Sequence, residues 1–198
     1  MNKNSTHIKV IIAGGGTGGH IFPAIAIAHA LRRKLPSCEI LFVGAKGKME
    51  MEKVPQEGYT IEGLDIAGWN RSSIWKNIGF PFKVWRSLRQ ARAILKRYQP
   101  DIAIGVGGYA SFPVLFMAQR QGVPTLIQEQ NSFAGVSNRI LGKRASSICV
   151  AYPDMQRFFP ASRIVLTGNP VRKQILENQI TREEAIQFFQ LRSDQNVV

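Results

Sequence analysis

The chain has 198 residues, of which 44% are hydrophobic and 20% charged, the balance of a globular protein with one substantial core rather than a disordered segment. Its 26 Lys and Arg stand against 13 Asp and Glu for a formal net charge of +13, which points to polyanionic partners: nucleic acid, an anionic membrane face or phosphorylated substrates. Cys38 and Cys149 stand apart, without C-x-x-C spacing or a His cluster, so neither a zinc site nor a disulfide framework is indicated, and both are expected to be reduced, buried thiols.

Met1 to Lys9 is polar and lacks the apolar core of a secretory signal, and the longest mostly apolar run, Ile21 to Leu31, is too short to span a bilayer. A cytosolic location is expected. The first predicted strand, Lys9 to Ala13, runs into Gly14-Gly15-Gly16-Thr17-Gly18-Gly19-His20 and then Phe22-Pro23, with a helix expected from Pro23 to Leu35, its proline in the first turn. A second strand covers Glu39 to Val43, a helix Met49 to Pro55 and a third strand Thr60 to Leu64. A long helix is expected over Ser73 to Tyr98, broken at Pro81.

The strand-glycine device then returns: Ile102 to Gly105 leads into Val106-Gly107-Gly108-Tyr109, then Phe112-Pro113, with a helix from Pro113 to Gln121. Strands at Thr125 to Gln128, Ser147 to Val150 and Ile164 to Leu166 alternate with helices at Ala134 to Leu141 and Asp154 to Phe158. Such alternation is the pattern of an α/β fold: a Rossmann-like parallel sheet with helices on both faces. After Gly168-Asn169-Pro170, Thr181-Arg182-Glu183-Glu184 is a capping box opening a helix to about Leu191, and Asn196-Val197-Val198 reads as the start of a further strand. Residues 1–168 are therefore expected to form one domain, and 169–198 a linker and the truncated start of a second.

Glycines allow sharp turns and close approach to a ligand, and helix N-termini offer free N–H groups, so each glycine cluster is a candidate anion seat as well as a tight turn. Two seats in one sheet suit a diphosphate or two phosphorylated ligands. Gly14-x-Gly16-x-x-Gly19 formally matches the dinucleotide fingerprint, but the second strand ends in Gly44-Ala45-Lys46 rather than the ribose-binding acid, and no P-loop is present. His20 enters its helix beside the first loop, where a neutral imidazole can act as a general base. Gln128-Glu129-Gln130-Asn131-Ser132 is a dense polar run at a strand end, suited to sugar hydroxyls or a nucleotide, or to a helix cap.

Between Ile66 and Pro153 twelve basic residues face only Asp101 and Glu129. Ile74, Trp75, Ile78, Phe82 and Trp85 are interleaved with Lys76, Lys83, Arg86 and Arg89, the pattern of apolar anchors with a basic rim that binds anionic lipid. Nucleic acid is the rival for the same charges, and no recognised nucleic-acid motif accompanies them.

In Gly15-Gly16-Thr17-Gly18-Gly19-His20-Ile21-Phe22-Pro23, Gly105-Val106-Gly107-Gly108-Tyr109, Glu129-Gln130-Asn131 and Gly168-Asn169-Pro170-Val171-Arg172, the chain resembles the MurG family of peptidoglycan glycosyltransferases. The resemblance runs from Lys9 to about Arg172 and implies the N-terminal half of a two-domain GT-B enzyme. Such enzymes transfer N-acetylglucosamine from UDP-N-acetylglucosamine to lipid I, giving lipid II, with inversion and without a bound metal or other cofactor. The resemblance also implies a peripheral enzyme at the cytoplasmic face of the cell membrane, with cell-wall synthesis and division proteins as further partners. By the same resemblance Thr17, Gly18, Gly19, Asn131 and Arg172 match donor-contacting positions, and His20 the base for the acceptor hydroxyl. Gly16, Gly107, Gly108 and Tyr109 match the acceptor diphosphate site, with Glu129 and Gln130 at the acceptor or behind it. A non-catalytic module that binds a lipid-linked diphosphate or a membrane surface is the alternative, and a chain this length is expected to be inactive alone.

Overall fold

A computed structural model of the chain describes residues 7–66, 79–172 and 180–192. Seven strands form one sheet: β1 (Lys9–Ala13), β2 (Glu39–Ala45), β3 (Thr60–Leu64), β4 (Ile102–Gly105), β5 (Thr125–Glu129), β6 (Ser147–Val150) and β7 (Ile164–Leu166). Their order is β3-β2-β1-β4-β5-β6-β7, and every pairing is parallel. The chain runs outward from β1 to β3, crosses back, and runs outward again from β4 to β7. The order therefore reverses between β1 and β4, and in an open parallel sheet such a switch point leaves a crevice beyond the carboxyl ends of the strands.

Alternate residues of the central strands feed two cores. Val10, Ile12, Ile40, Phe42 and Ile104 pack on α1 (Gly18–Lys34) and α2 (Glu50–Gln56). Ile11, Ala13, Leu41, Val43, Ala103 and Ile127 pack with α3 (Phe80–Tyr98), α4 (Ser111–Arg120) and α5 (Val136–Gly142) on the other face. Because both faces of the central strands are covered, β1 is buried from Val10 to Ala13, which is why it reads as an unbroken apolar run.

Several boundaries differ from those the sequence suggests. Helix α1 begins at Gly18, because the N–H groups of His20 and Ile21 already bond the Thr17 carbonyl at 3.1 and 3.2 Å, and Pro23 lies inside the helix rather than in its first turn. Lacking an N–H, Pro23 gives no bond to the Gly19 carbonyl one turn back. Pro81 falls in the first turn of α3 and starts that helix instead of breaking it, while residues 67–78 lie outside the described residues. The helix expected at Asp154 to Phe158 is a single 3-10 turn, Met155–Arg157, entered through Asp154 in the left-handed region at φ 60°. Cys38 and Cys149 are free as expected but half-buried, not buried.

The capping box is present: the Glu184 N–H donates to Thr181 Oγ1 at 3.2 Å, and the Thr181 N–H to Glu184 Oε2 at 2.8 Å, at the start of α6 (Arg182–Phe188). The strand expected at Asn196 to Val198 lies outside the described residues.

Candidate functional site

Both glycine loops leave the sheet at the switch point, one from β1 and one from the neighbouring β4. Positive φ at Gly15 (134°), Gly16 (87°), Gly107 (90°) and Gly108 (82°) turns each chain sharply at the strand end. The loops then touch. A side chain on Gly108 would run into the Gly15 carbonyl, and one on Gly107 into the His20 ring. Gly107 and Gly108 are thus glycines because two loops and an imidazole share one small space, in which Gly107 is buried and Gly108 half-buried.

Thr17 sits at the N-cap of α1 without capping it. Its Oγ1 lies 3.0 Å from His20 Nδ1 instead, so the hydroxyl orients the ring and leaves the first N–H groups of the helix open toward the cleft. No acidic residue occupies that first turn. Burial pushes the His20 pKa below its ordinary value, against the weaker opposing pull of Glu129, the Gly15 carbonyl and Glu50. A neutral, hydrogen-bonded imidazole at an open helix end can accept a proton beside an anionic ligand.

The cleft they border has a volume of about 620 Å³ and is lined by Thr17, Gly18, Gly19, His20, Phe22, Pro23, Gln130, Asn131, Tyr152 and Asn169. Six of the expected site residues are therefore gathered on it: Thr17, Gly18, Gly19, His20, Gln130 and Asn131. Glu129 stands behind it, buried, where Oε1 accepts from the Asn131 N–H and Nδ2 at 3.1 Å each, and Oε2 from the Gly135 N–H at 3.2 Å and Asn138 Nδ2 at 2.9 Å. Gln130 Nε2 donates to the Val106 carbonyl at 2.9 Å, tying β5 to the second glycine loop, and also to Gln128 Oε1. The Tyr109 ring stands over Gly16, half-exposed. Arg172 does not line the cleft; its guanidinium lies 4.4 Å from the ring centroid of Phe22, which does.

Two contributors were not anticipated. Tyr152 follows β6 at the crevice, and its position just past a strand end is the signal that marks it. Glu50 is wholly buried under the first loop and accepts the Gly16 N–H at 2.9 Å and the Ala45 N–H at 3.0 Å. Among the described residues no group of His, Cys, Asp and Glu is placed to hold a metal ion.

Away from the cleft, Phe82 and Trp85 project from the start of α3, 63% and 51% exposed and stacked at 5.8 Å. Arg89 lies 4.8 Å from the Trp85 ring, and Arg86, Gln90 and Ala93 complete a groove of about 410 Å³. These two aromatics are surface, not core. Ile74, Trp75 and Ile78 lie outside the described residues. No helix among the described residues is long and apolar enough to cross a membrane.

The glycosyltransferase family 28 N-terminal domain matches residues 10–150. The UDP-N-acetylglucosamine--N-acetylmuramyl-(pentapeptide) pyrophosphoryl-undecaprenol N-acetylglucosamine transferase of Bacteroides fragilis is 53% identical over 204 residues, a match covering 100% of this chain and 54% of that protein. The protein of the same name from Christiangramia forsetii is 56% identical over 191 residues, covering 96% of this chain and 52% of its own. The crystal structure of Acinetobacter baumannii MurG superposes with a TM-score of 0.71 at 32% identity, over 84% of this chain and 47% of that one. The chain spans about half the length of the curated relatives it matches. With the Rossmann-like sheet, the paired glycine loops and the His20 cleft, these matches place the chain in glycosyltransferase family 28, whose N-terminal domain it carries.

Proposed function

We propose that this chain is the acceptor-binding half of an inverting transferase that moves N-acetylglucosamine from UDP-N-acetylglucosamine to lipid I, giving lipid II in peptidoglycan synthesis. The observation that carries the reading is His20: neutral by burial, held by Thr17 at 3.0 Å, and set between two glycine loops at the switch point. In the reaction, the acceptor hydroxyl gives its proton to the imidazole as its oxygen bonds to the anomeric carbon of the sugar. The bond from that carbon to the UDP oxygen breaks, and UDP leaves with the electron pair.

In this reading residues 1–168 form the acceptor domain, and 169–198 lead into a donor domain. Thr17, Gly18, Gly19 and Asn131 meet the donor from the cleft wall, and Arg172 meets it from beside Phe22. The loop backbone at Gly16, Gly107 and Gly108, with Tyr109 alongside, borders the seat of the acceptor diphosphate, the Gly16 N–H itself being held by Glu50. Glu129 and Gln130 shape the wall from behind. Phe82 and Trp85, continued by Ile74, Trp75 and Ile78, rest on the cytoplasmic face of the membrane that holds the lipid acceptor, where cell-wall synthesis and division proteins are the neighbouring partners.

Isothermal titration of the chain with a short-chain, water-soluble lipid I analogue tests the reading. Binding is expected, and Gly16→Ala should weaken it by roughly tenfold, since an alanine at φ 87° is strained by about 1–2 kcal/mol. A folded chain that does not bind the analogue would rule out this acceptor site.

A further inference from the structure

The mechanism makes no use of Glu50, yet it is the most deeply enclosed charged residue near the site, at 0% exposure. Among the described residues it has no ion pair. Its two oxygens divide instead between two loops: Oε2 takes the Gly16 N–H from beyond β1, and Oε1 the Ala45 N–H at the end of β2. Glu50 is also the first residue of α2, where the positive end of the helix favours a carboxylate.

The surrounding glycines are shaped to it. A side chain at Gly15 would overlap the Glu50 carboxylate, and one at Gly44 would meet its Cγ at 2.5 Å. If this position only filled space, an apolar side chain would do so without the cost of burying a charge. What an apolar side chain could not do is satisfy two backbone N–H groups that turn inward, each of which would otherwise be a buried, unpaired donor. The Gly16 bond is the one with a consequence for the cleft. It fixes the loop at Gly16, directly before Thr17, whose Oγ1 in turn lies 3.0 Å from His20 Nδ1.

We propose that Glu50 is a positioning residue: its buried carboxylate clamps the first glycine loop to the end of β2 and thereby sets where His20 stands in the cleft. The inference rests on reading that cleft as the reaction site, but its test needs no substrate, so the two can fail separately. The groups facing His20 are Thr17 and the Gly15 carbonyl from its own loop, Gly107 from the second loop, Glu129 from β5 and Glu50 from α2.

The experiment is nuclear magnetic resonance on the 198-residue chain and its Glu50→Gln variant, following amide exchange and the His20 titration, with thermal melting alongside. A glutamine can accept one of the two N–H groups but turns an NH₂ toward the other. Exchange at Gly16 should accelerate by roughly tenfold, the loss of one charge-assisted hydrogen bond. The His20 midpoint should move down as a fixed negative charge disappears. Protection at Ile127 and Leu141, deep in the opposite core, should hold. A variant that melts earlier while Gly16 exchange and the His20 midpoint stay put would overturn the proposal, leaving Glu50 a packing residue. The unaltered chain supplies a measurement independent of any variant: the Gly16 and Ala45 amides should exchange more slowly than that of Gly18 at the open end of α1, and equal rates would overturn it too.

Discussion

Burial of the His20 imidazole has both a kinetic and a thermodynamic sign. Its pKa lies below the ordinary 6.5, so the ring is neutral at pH 7 and free to take a proton. In a protein of full family length, His20→Ala should lower kcat by roughly two to four orders of magnitude while the KM for UDP-N-acetylglucosamine changes little, as a lost general base requires. Wild-type turnover should hold above neutrality and fall only as pH drops through the lowered pKa; a mutant with parental kcat would show the histidine to be structural. The stability sign follows from which state binds the proton first. The unfolded chain protonates at about pH 6.5 and the folded one only lower, so acidification below about 6.5 favours unfolding until the folded pKa is passed. Melting curves of the wild type and His20→Gln between about pH 8 and about pH 5 should therefore diverge, with the wild type losing more. The glycines, His20 and Asn131 were legible in the sequence because strand end, turn and helix start lie within a few residues of one another. Glu50 was not. It reaches Gly16 across 34 residues, and in sequence it is only an acid in the first turn of a short helix.

Helix α3 shows how an element can serve two surfaces at once. Ser87, Ala91, Ile94 and Leu95 recur at helical spacing and are buried, and Gln90 ties the helix to the end of β3 by accepting the Asp65 N–H at 2.9 Å and donating to Asp65 Oδ2 at 2.7 Å. Lys46 and Arg86 also meet Asp65, at 2.9 and 3.0 Å, and hydrogen bonds from Lys46 and then Gln90 hold its carboxyl below the usual range. Phe82 and Trp85 are not among the buried residues of the helix and project to solvent near its start. The double substitution Phe82→Ala with Trp85→Ala should therefore leave the melting temperature nearly unchanged, where core aromatics would cost about 3–5 kcal/mol each. It should nevertheless reduce co-sedimentation with anionic vesicles, and the residual binding should weaken with salt, since each nearby cation contributes about 1 kcal/mol at such a surface. Vesicle binding that survives intact in the folded double variant would discard this groove as the anchor. The elements themselves were legible where physics is local: buried parallel strands are apolar runs, and all seven were recovered. Helix starts were less so. A proline one turn inside α1 reads as a start signal, and the Met155–Arg157 turn is tightened to 3-10 form by a left-handed residue that composition does not reveal.

The whole sheet obeys a rule that the sequence states only indirectly, through alternation of strands and helices; its order had to come from the fold. The last strand, β7, has three residues, with Val165 48% and Leu166 61% exposed, so it closes the sheet with little cover on that side. Transfer needs both reactants held together, and positioning supplies much of a transferase's advantage. The chain alone should therefore give no useful turnover of UDP-N-acetylglucosamine, and adding a separately expressed second half from a relative should restore it. Transfer by the chain alone would contradict this division of labour. The contact between Gly15 and Gly108 carries a further consequence. Because the backbone of one loop rests directly on the backbone of the other, a molecule that shifts either loop must push its neighbour. A ligand that displaced one loop would therefore change affinity at the other, and by linkage the factor would be the same in both directions. Two ligands seated on these loops would then behave as communicating vessels, the filling of either being felt at the other whichever arrives first.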